Sequence, residues 1–379
     1  MTAEYEVIDP ATLELVDVVA EMTAADLDST VSRAAAAQIV WECDADARRQ
    51  YLRHMADILD EHGEELARLL SREQGKVISL ARTEIAMSKA IFLSYADLAI
   101  EELELPDRNG RSVSVLNRPY GVVAAITPWN YPLTLLNVKL APALLAGNTV
   151  VVKPARTTPL ATRRMLELFA EILPPAVVQL VTGREAGHAL AGHGGVGKVA
   201  FTGSTEVGQL LMHGAARTMT RLTLELGGND AAIVLPESNL EFTVNGIMES
   251  AFRNAGQTCM SVKRVYVPRS QYAEYVDAFA ANAARITVGR GLDESIKMGP
   301  LHSSGQLETV TGLRDDAIAR GARMVAGGGR GSELPGWFHE ATILADVDPT
   351  APVVVEEQFG SVLPVVAYDD PAILIDQIN

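Results

Sequence analysis

Gly121-Val-Val-Ala-Ala-Ile-Thr-Pro-Trp-Asn-Tyr-Pro132 and, one helix length later, Thr149-Val-Val-Val-Lys-Pro-Ala-Arg156 decide the fold. Each opens on a short run of small or β-branched apolar residues, stops at a proline, and gives way to a helical stretch. The runs at 122–126 and 149–152 are followed by helical patterns at 132–145 and 160–173. The alternation continues through strands at 177–181, 199–201 and 222–226, with a helix at 206–217. A strand that is apolar along its whole length is buried on both faces, and strands separated by helices pair in parallel. The expected fold is therefore α/β, built on a doubly wound parallel sheet.

Upstream, residues 23–100 read as helices. Thr23-Ala-Ala-Asp26 has capping-box spacing, and Leu52, Met55, Leu59, Leu66 and Leu70 recur at helical intervals between charges. Residues 101–119 are polar, with Asp107-Arg-Asn-Gly110 as a turn and the alternating Ser112-Val-Ser-Val-Leu116 after it, the pattern of a protruding hairpin. Downstream, a second alternation has strands near 231–234, 262–267 and 362–366 and helices around 240–253 and 272–286. The expected division is a dinucleotide-binding domain over 1–227 and a second α/β catalytic domain over 228–379.

The chain has 379 residues, enough for two cores, and its 48% apolar and 21% charged content is that of a globular protein. A net charge of −16 argues against nucleic acid or an anionic membrane as partner. No apolar run is long enough to span a bilayer, and the acidic N-terminus lacks a signal-peptide pattern. With only two cysteines, Cys43 in a polar helical stretch and Cys259 far from it, the expected compartment is the reducing cytoplasm. No metal site is expected.

Cys259 closes the octapeptide Phe252-Arg-Asn-Ala-Gly-Gln-Thr-Cys259, among small and polar neighbours where a core helix would place Leu or Ile. Such a setting suits a thiolate nucleophile better than an inert core thiol. Glu225 is a lone carboxylate on the apolar run Leu222-Thr-Leu-Glu-Leu226, followed by Gly227-Gly228. Phe201-Thr-Gly-Ser-Thr205 leaves a strand and enters a helix, so the Ser204 hydroxyl and the free amides beyond Gly203 form an anion site suited to a pyrophosphate. Lys153 ends a strand, where ligands of open α/β sheets collect. Gly192-His-Gly-Gly-Val-Gly-Lys198 mimics two phosphate motifs but fits neither. It precedes a strand instead of following one, and Val199 stands where a P-loop needs Ser or Thr.

Six segments in order resemble the NAD(P)-dependent aldehyde dehydrogenase superfamily: Pro128-Trp-Asn-Tyr-Pro132, Lys153-Pro-Ala155, Phe201-Thr-Gly-Ser-Thr205, Leu224-Glu-Leu-Gly-Gly228, Gly256-Gln-Thr-Cys259 and Glu357-Gln-Phe-Gly360. The resemblance runs along nearly the whole chain. It implies an aldehyde as substrate, NAD or NADP as cofactor, Cys259 as nucleophile, Asn130 as oxyanion donor and Glu225 as the base that hydrolyses the thioester. It also implies Lys153 and Glu357 as ribose ligands, Ser204 on the pyrophosphate, and Trp129 and Phe359 as walls of the cofactor cleft. The active site is expected between the two domains.

Arg156 stands where NAD-preferring members commonly carry a Glu, which points to a 2′-phosphate and NADP. Ser361 replaces the usual proline, a change of loop stiffness. Family members continue past Asn379, so the catalytic domain is expected to be incomplete, and this chain alone poorly soluble or inactive. The octapeptide is similar to that of succinate-semialdehyde dehydrogenases, in which the arginine at the Arg253 position holds the substrate's far carboxylate. Val138 stands where those enzymes carry a second arginine, and Tyr131, Thr134 and Leu135 are expected to line a moderately apolar tunnel. A homodimer or homotetramer is implied for the full-length protein. Two alternatives are a CoA-acylating relative, disfavoured by Glu225, and a catalytically silent chain that only binds nucleotide or a partner.

Overall fold

The computed structural model describes residues 3–100, 103–108 and 110–379. They divide into two compact units. The first comprises 1–7, 17–69 and 82–226, and the second 8–16, 70–81 and 227–379.

The first unit is built on a five-stranded sheet ordered Val178–Leu180, Thr149–Lys153, Val122–Ile126, Lys198–Thr202, Arg221–Glu225, every neighbour parallel. Its central strand is buried at all five positions, which is why it reads as continuous Val, Ala and Ile. The edge strand Arg221–Glu225 alternates exposed and half-buried residues instead. Val122, Ala124 and Ile126 share a cluster with Leu27, Val31 and Ala34 of the helix Ala24–Trp41 and with Leu190 and Leu211. Val123 and Ala125 point the other way, by strand alternation. The helix Pro132–Leu145 packs on Val122–Ile126 and Thr149–Lys153.

The N-terminal helices are Ala24–Trp41, Ala45–Glu61, Gly63–Gln74 and Ile78–Asp97. The expected capping box closes both ways: Thr23 Oγ1 accepts from Asp26 N–H at 3.2 Å, and Asp26 Oδ2 accepts from Thr23 N–H at 3.0 Å. Leu52, Met55, Leu59, Leu66 and Leu70 are all buried. Cys43 corrects one expectation. It is exposed in the turn between the first two of these helices, not within a helix. Two short strands, Glu4–Ile8 and Leu15–Ala20, pair with each other ahead of the helices.

The hairpin is present as Leu103–Arg108 antiparallel to Arg111–Val115. Its strand continues through Asp107 and Arg108, where a turn was expected; Asn109 of that turn and residues 101–102 lie outside the described residues.

The second unit holds another five-stranded sheet, ordered Ala231–Ile233, Arg264–Pro268, Val362–Tyr368, Thr342–Ala345, Arg323–Ala326. Its last pairing is antiparallel and the other three are parallel. Helices Leu240–Phe252, Tyr272–Ala283 and Ser304–Ala319 accompany it, with Val265, Phe279, Val310, Ile343 and Val365 among its buried residues.

Residues 8–16 and 70–81 were expected in the first domain, and backbone fit explains their place in the second unit. Gly75, at φ +92°, has Pro10 and Pro300 2.8 Å from where a Cβ would stand. The Ile78 N–H donates to the Gly291 carbonyl at 2.7 Å, and the Trp337 N–H to that of Pro10 at 3.0 Å. Among the described residues no helix is long and apolar enough to cross a membrane.

Candidate active site

In the first unit the chain starts at the central strand and builds outward on both sides. Its switch point therefore lies between Val122–Ile126 and Lys198–Thr202, and ligands of such sheets bind outside the carboxyl ends there. The register delivers the candidate residues to that edge, since Ile126 pairs with both Lys153 and Phe201, and Thr202 with Glu225. Trp129 is half-buried and Asn130 buried just past the central strand. Burial pushes the Lys153 ammonium below the usual lysine range. The Gly203 N–H donates to the Glu225 carbonyl at 3.0 Å, and a Cβ at Gly203 would stand 2.4 Å from the Phe201 ring. The Ser204 hydroxyl caps the helix Thr205–Ala215, accepting from Val207 N–H at 3.3 Å, and keeps its own proton to donate. The first amides of that helix and the Lys153 ammonium make a donor set that fits a dinucleotide's phosphates and ribose.

Two residues that the sequence did not single out organise this edge. Glu84, buried on Ile78–Asp97, accepts from the backbone N–H groups of Leu133 (2.9 Å) and Thr134 (3.1 Å). A carboxylate at a helix N-terminus satisfies orphan amides and complements the dipole, so Glu84 holds the loop that carries Asn130. The Thr134 hydroxyl also turns to the Glu84 carbonyl at 3.3 Å. Thr134 is thus buried in an anchoring contact, whereas Tyr131 and Leu135 are half-buried.

Lys139 is the second such residue. Its Nζ donates to Thr202 Oγ1 at 2.5 Å and to the Leu135 carbonyl at 3.1 Å. Burial lowers its pKa to about 8, against the opposing pull of the Glu225 carboxylate. The folded lysine therefore releases its proton near pH 8 while the unfolded one holds it to about 10.5, so this group adds stability as pH rises between the two. Lys139→Met is expected to gain most over wild type below pH 8 and to lose that advantage by pH 10.5, as read by thermal melts across this range. A Tm difference independent of pH contradicts the account.

In the second unit Cys259 sits half-buried in a turn beyond the helix Leu240–Phe252. Between them Asn254 (φ 53°), Ala255 (φ 57°) and Gly256 (φ 76°) form a left-handed run. For a non-glycine residue that conformation costs about 1–2 kcal/mol. Gly256 is required because a Cβ there would stand 2.1 Å from the Gly360 carbonyl oxygen. Gln257 secures the run: its Nε2 donates to the Asn254 carbonyl at 2.9 Å and its Oε1 accepts from the His302 N–H at 2.9 Å. Lys263 clamps the far side, donating to the Thr258 carbonyl and, at 2.5 Å, to Ser261 Oγ, with its Nζ 5.1 Å from the Phe359 ring centroid. Its ammonium is held below the usual lysine range by burial, partly offset by nearby Glu357, Asp230 and Cys259.

Glu357 folds onto the glycine pair. Its Oε1 accepts from Gly228 N–H at 3.3 Å, and a Cβ at Gly227 would collide with its Oε2. Burial raises its carboxyl pKa, and the Gly228 bond pulls it back. Arg253 is exposed at the end of the helix Leu240–Phe252. Ser361 does more than loosen a loop: buried, its hydroxyl lies 3.0 Å from His339 Nδ1.

The first unit thus gathers Trp129, Asn130, Lys153, Gly203, Ser204 and Glu225 at one sheet edge. The second gathers Cys259, Phe359 and Glu357 around Lys263. Arg156 is engaged by Glu21 at 3.2 Å and lies over the Tyr5 ring, 4.6 Å from its centroid.

The sequence model of the aldehyde dehydrogenase family matches residues 1–379. A probable succinate-semialdehyde dehydrogenase [NADP(+)] of Sinorhizobium fredii is 38% identical, over 99% of this chain and 78% of that protein. A geranial dehydrogenase of Castellaniella defragrans is 39% identical, over 97% and 79% respectively. The crystal structure of an E. coli NADP dependent enzyme superposes with a TM-score of 0.97 at 35% identity, covering all of this chain and 80% of the other.

Proposed function

The chain belongs to the aldehyde dehydrogenase family, and from that premise we propose which residues carry the NAD(P)-dependent oxidation of an aldehyde to its carboxylic acid. The Cys259 thiolate attacks the aldehyde carbon, and the carbonyl's π pair moves to oxygen to give a thiohemiacetal. The Asn130 side-chain amide and the Cys259 backbone N–H donate to that oxyanion. The bound cofactor supplies the acceptor for the hydride that leaves the same carbon. Glu225 then takes a proton from water as its oxygen attacks the thioester, and the thiolate departs with the C–S pair. The observation that carries this reading is the setting of Cys259: half-exposed, on a turn held on one side by Gln257 and on the other by Lys263. An inert structural cysteine is buried. An aldehyde panel with NAD and NADP tests the reading by formation of reduced cofactor; none with any aldehyde overturns it. Glu225 disfavours resolution of the thioester by coenzyme A.

Lys153 and Glu357 hold ribose hydroxyls, Ser204 and the start of Thr205–Ala215 hold the pyrophosphate, and Trp129 and Phe359 flank the cofactor. Arg156, paired with Glu21, is the cation that a bound 2′-phosphate would meet. Tyr131, Thr134 and Leu135 line the aldehyde's path. The net charge of −16 keeps nucleic acid away, the two unbridged cysteines suit the cytoplasm, and the hairpin suits a homodimer or homotetramer.

The substrate we favour is an anionic semialdehyde, its carboxylate held by exposed Arg253, in keeping with the succinate-semialdehyde dehydrogenase similarity. Arg253→Leu should lower kcat/KM for succinate semialdehyde about ten- to a hundredfold, the worth of a charge-assisted bond, and leave butanal unchanged. An equal loss for both, or for neither, moves the substrate to uncharged aldehydes.

A further inference from the structure

Arg156 and Glu21 come from distant parts of the chain, yet they form one unit of charge. The guanidinium lies three residues beyond Lys153, itself at the carboxyl end of Thr149–Lys153 and so on the cofactor side of the first unit's sheet. Glu21 is carried there by the segment after the strand Leu15–Ala20, and three backbone-anchored bonds fix it. Its N–H donates to the Ala3 carbonyl at 2.7 Å, the next N–H, of Met22, to that of Thr182 at 3.2 Å, and Thr182 Oγ1 to that of Ala20 at 2.6 Å. Thr182 follows the strand Val178–Leu180, which neighbours Thr149–Lys153. The Glu21 side chain is 23% exposed and Arg156's 44%, so the pair is partly shielded from water. Buried Tyr5 backs the guanidinium with its ring.

We propose that Glu21 is a specificity-determining residue for the cofactor: it neutralises Arg156 and presents a carboxylate to the adenosine ribose, restraining NADP and favouring NAD. The proposal rests on the dinucleotide-binding reading above. A lone arginine at this edge attracts the dianionic 2′-phosphate. With Glu21 3.2 Å away the pair carries no net charge, so the phosphate must approach a carboxylate to reach the guanidinium. A ribose 2′-hydroxyl meets no such repulsion and can donate to that carboxylate. The chain thus supplies from its N-terminal strands the acidic group that position 156 lacks.

The test is equilibrium titration of NAD, NADP and 2′,5′-ADP into wild type, Glu21→Gln and Glu21→Ala, read by calorimetry and so independent of turnover. Both variants should bind NADP and 2′,5′-ADP more tightly relative to NAD, by about tenfold, and the shift should shrink at high salt. The ratio is taken on one preparation, so a fraction of unfolded protein cancels. An unchanged ratio in both variants, with both cofactors still bound, overturns the proposal alone. Wild-type protein that binds neither cofactor overturns the parent reading and this proposal with it.

Discussion

Cys259→Ala should abolish formation of reduced cofactor, by roughly a thousandfold or more, while leaving the affinity for NAD and NADP unchanged. The size follows from the role. Without the thiolate there is no thiohemiacetal and hence no carbon from which a hydride can leave. The preserved affinity follows from the role: Cys259 is not among the residues proposed to hold the cofactor, and the phosphate donors at Lys153 and Thr205–Ala215 belong to the first unit. Steady-state rates and cofactor titrations on the same preparation check both halves. Equal rates for wild type and the alanine variant contradict the assignment.

Glu225→Gln should separate the two halves of the reaction. Acylation and hydride departure proceed, so rapid mixing should show a burst of reduced cofactor close to one per active site. Turnover afterwards should fall by about 10²–10⁴-fold, the usual contribution of a positioned base. Glu225 is exposed on the edge strand Arg221–Glu225, where water reaches it. Loss of the burst along with the steady state would make Glu225 essential to thiol attack as well. A variant as active as wild type removes it from the mechanism.

The parallel sheet of the first unit was legible because its central strand, Val122–Ile126, is buried at every position and is written in uninterrupted Val, Ala and Ile. The helix Pro132–Leu145 was legible to the residue because Pro132 stands at its first turn. Strands Glu4–Ile8, Arg323–Ala326 and Thr342–Ala345 were not. They are short, and Arg323–Ala326 is largely exposed and runs into a glycine-rich stretch, so no apolar run marks it. Cys259, Lys153 and Glu225 stood out as chemistry in unusual settings. Glu84 did not, because a carboxylate on an amphipathic helix is the commonest thing there, and only the fold shows two backbone amides converging on it. Lys139 left a fainter signal, a single cation within Leu133-Thr-Leu-Leu-Asn-Val-Lys-Leu140. The pairing of Arg156 with Glu21 was not legible, because the two are remote in sequence and pairing of that kind is set by tertiary packing alone.

The central claim is that an acyl group passes through Cys259. It is tested most directly by mixing Glu225→Gln with aldehyde and cofactor, quenching in acid, and mapping the mass of each peptide. One acyl group on the peptide containing Cys259, in amount equal to the burst, with Cys43 unmodified, is the predicted result. A burst of reduced cofactor with Cys259 unmodified, or with the acyl group on another residue, contradicts it.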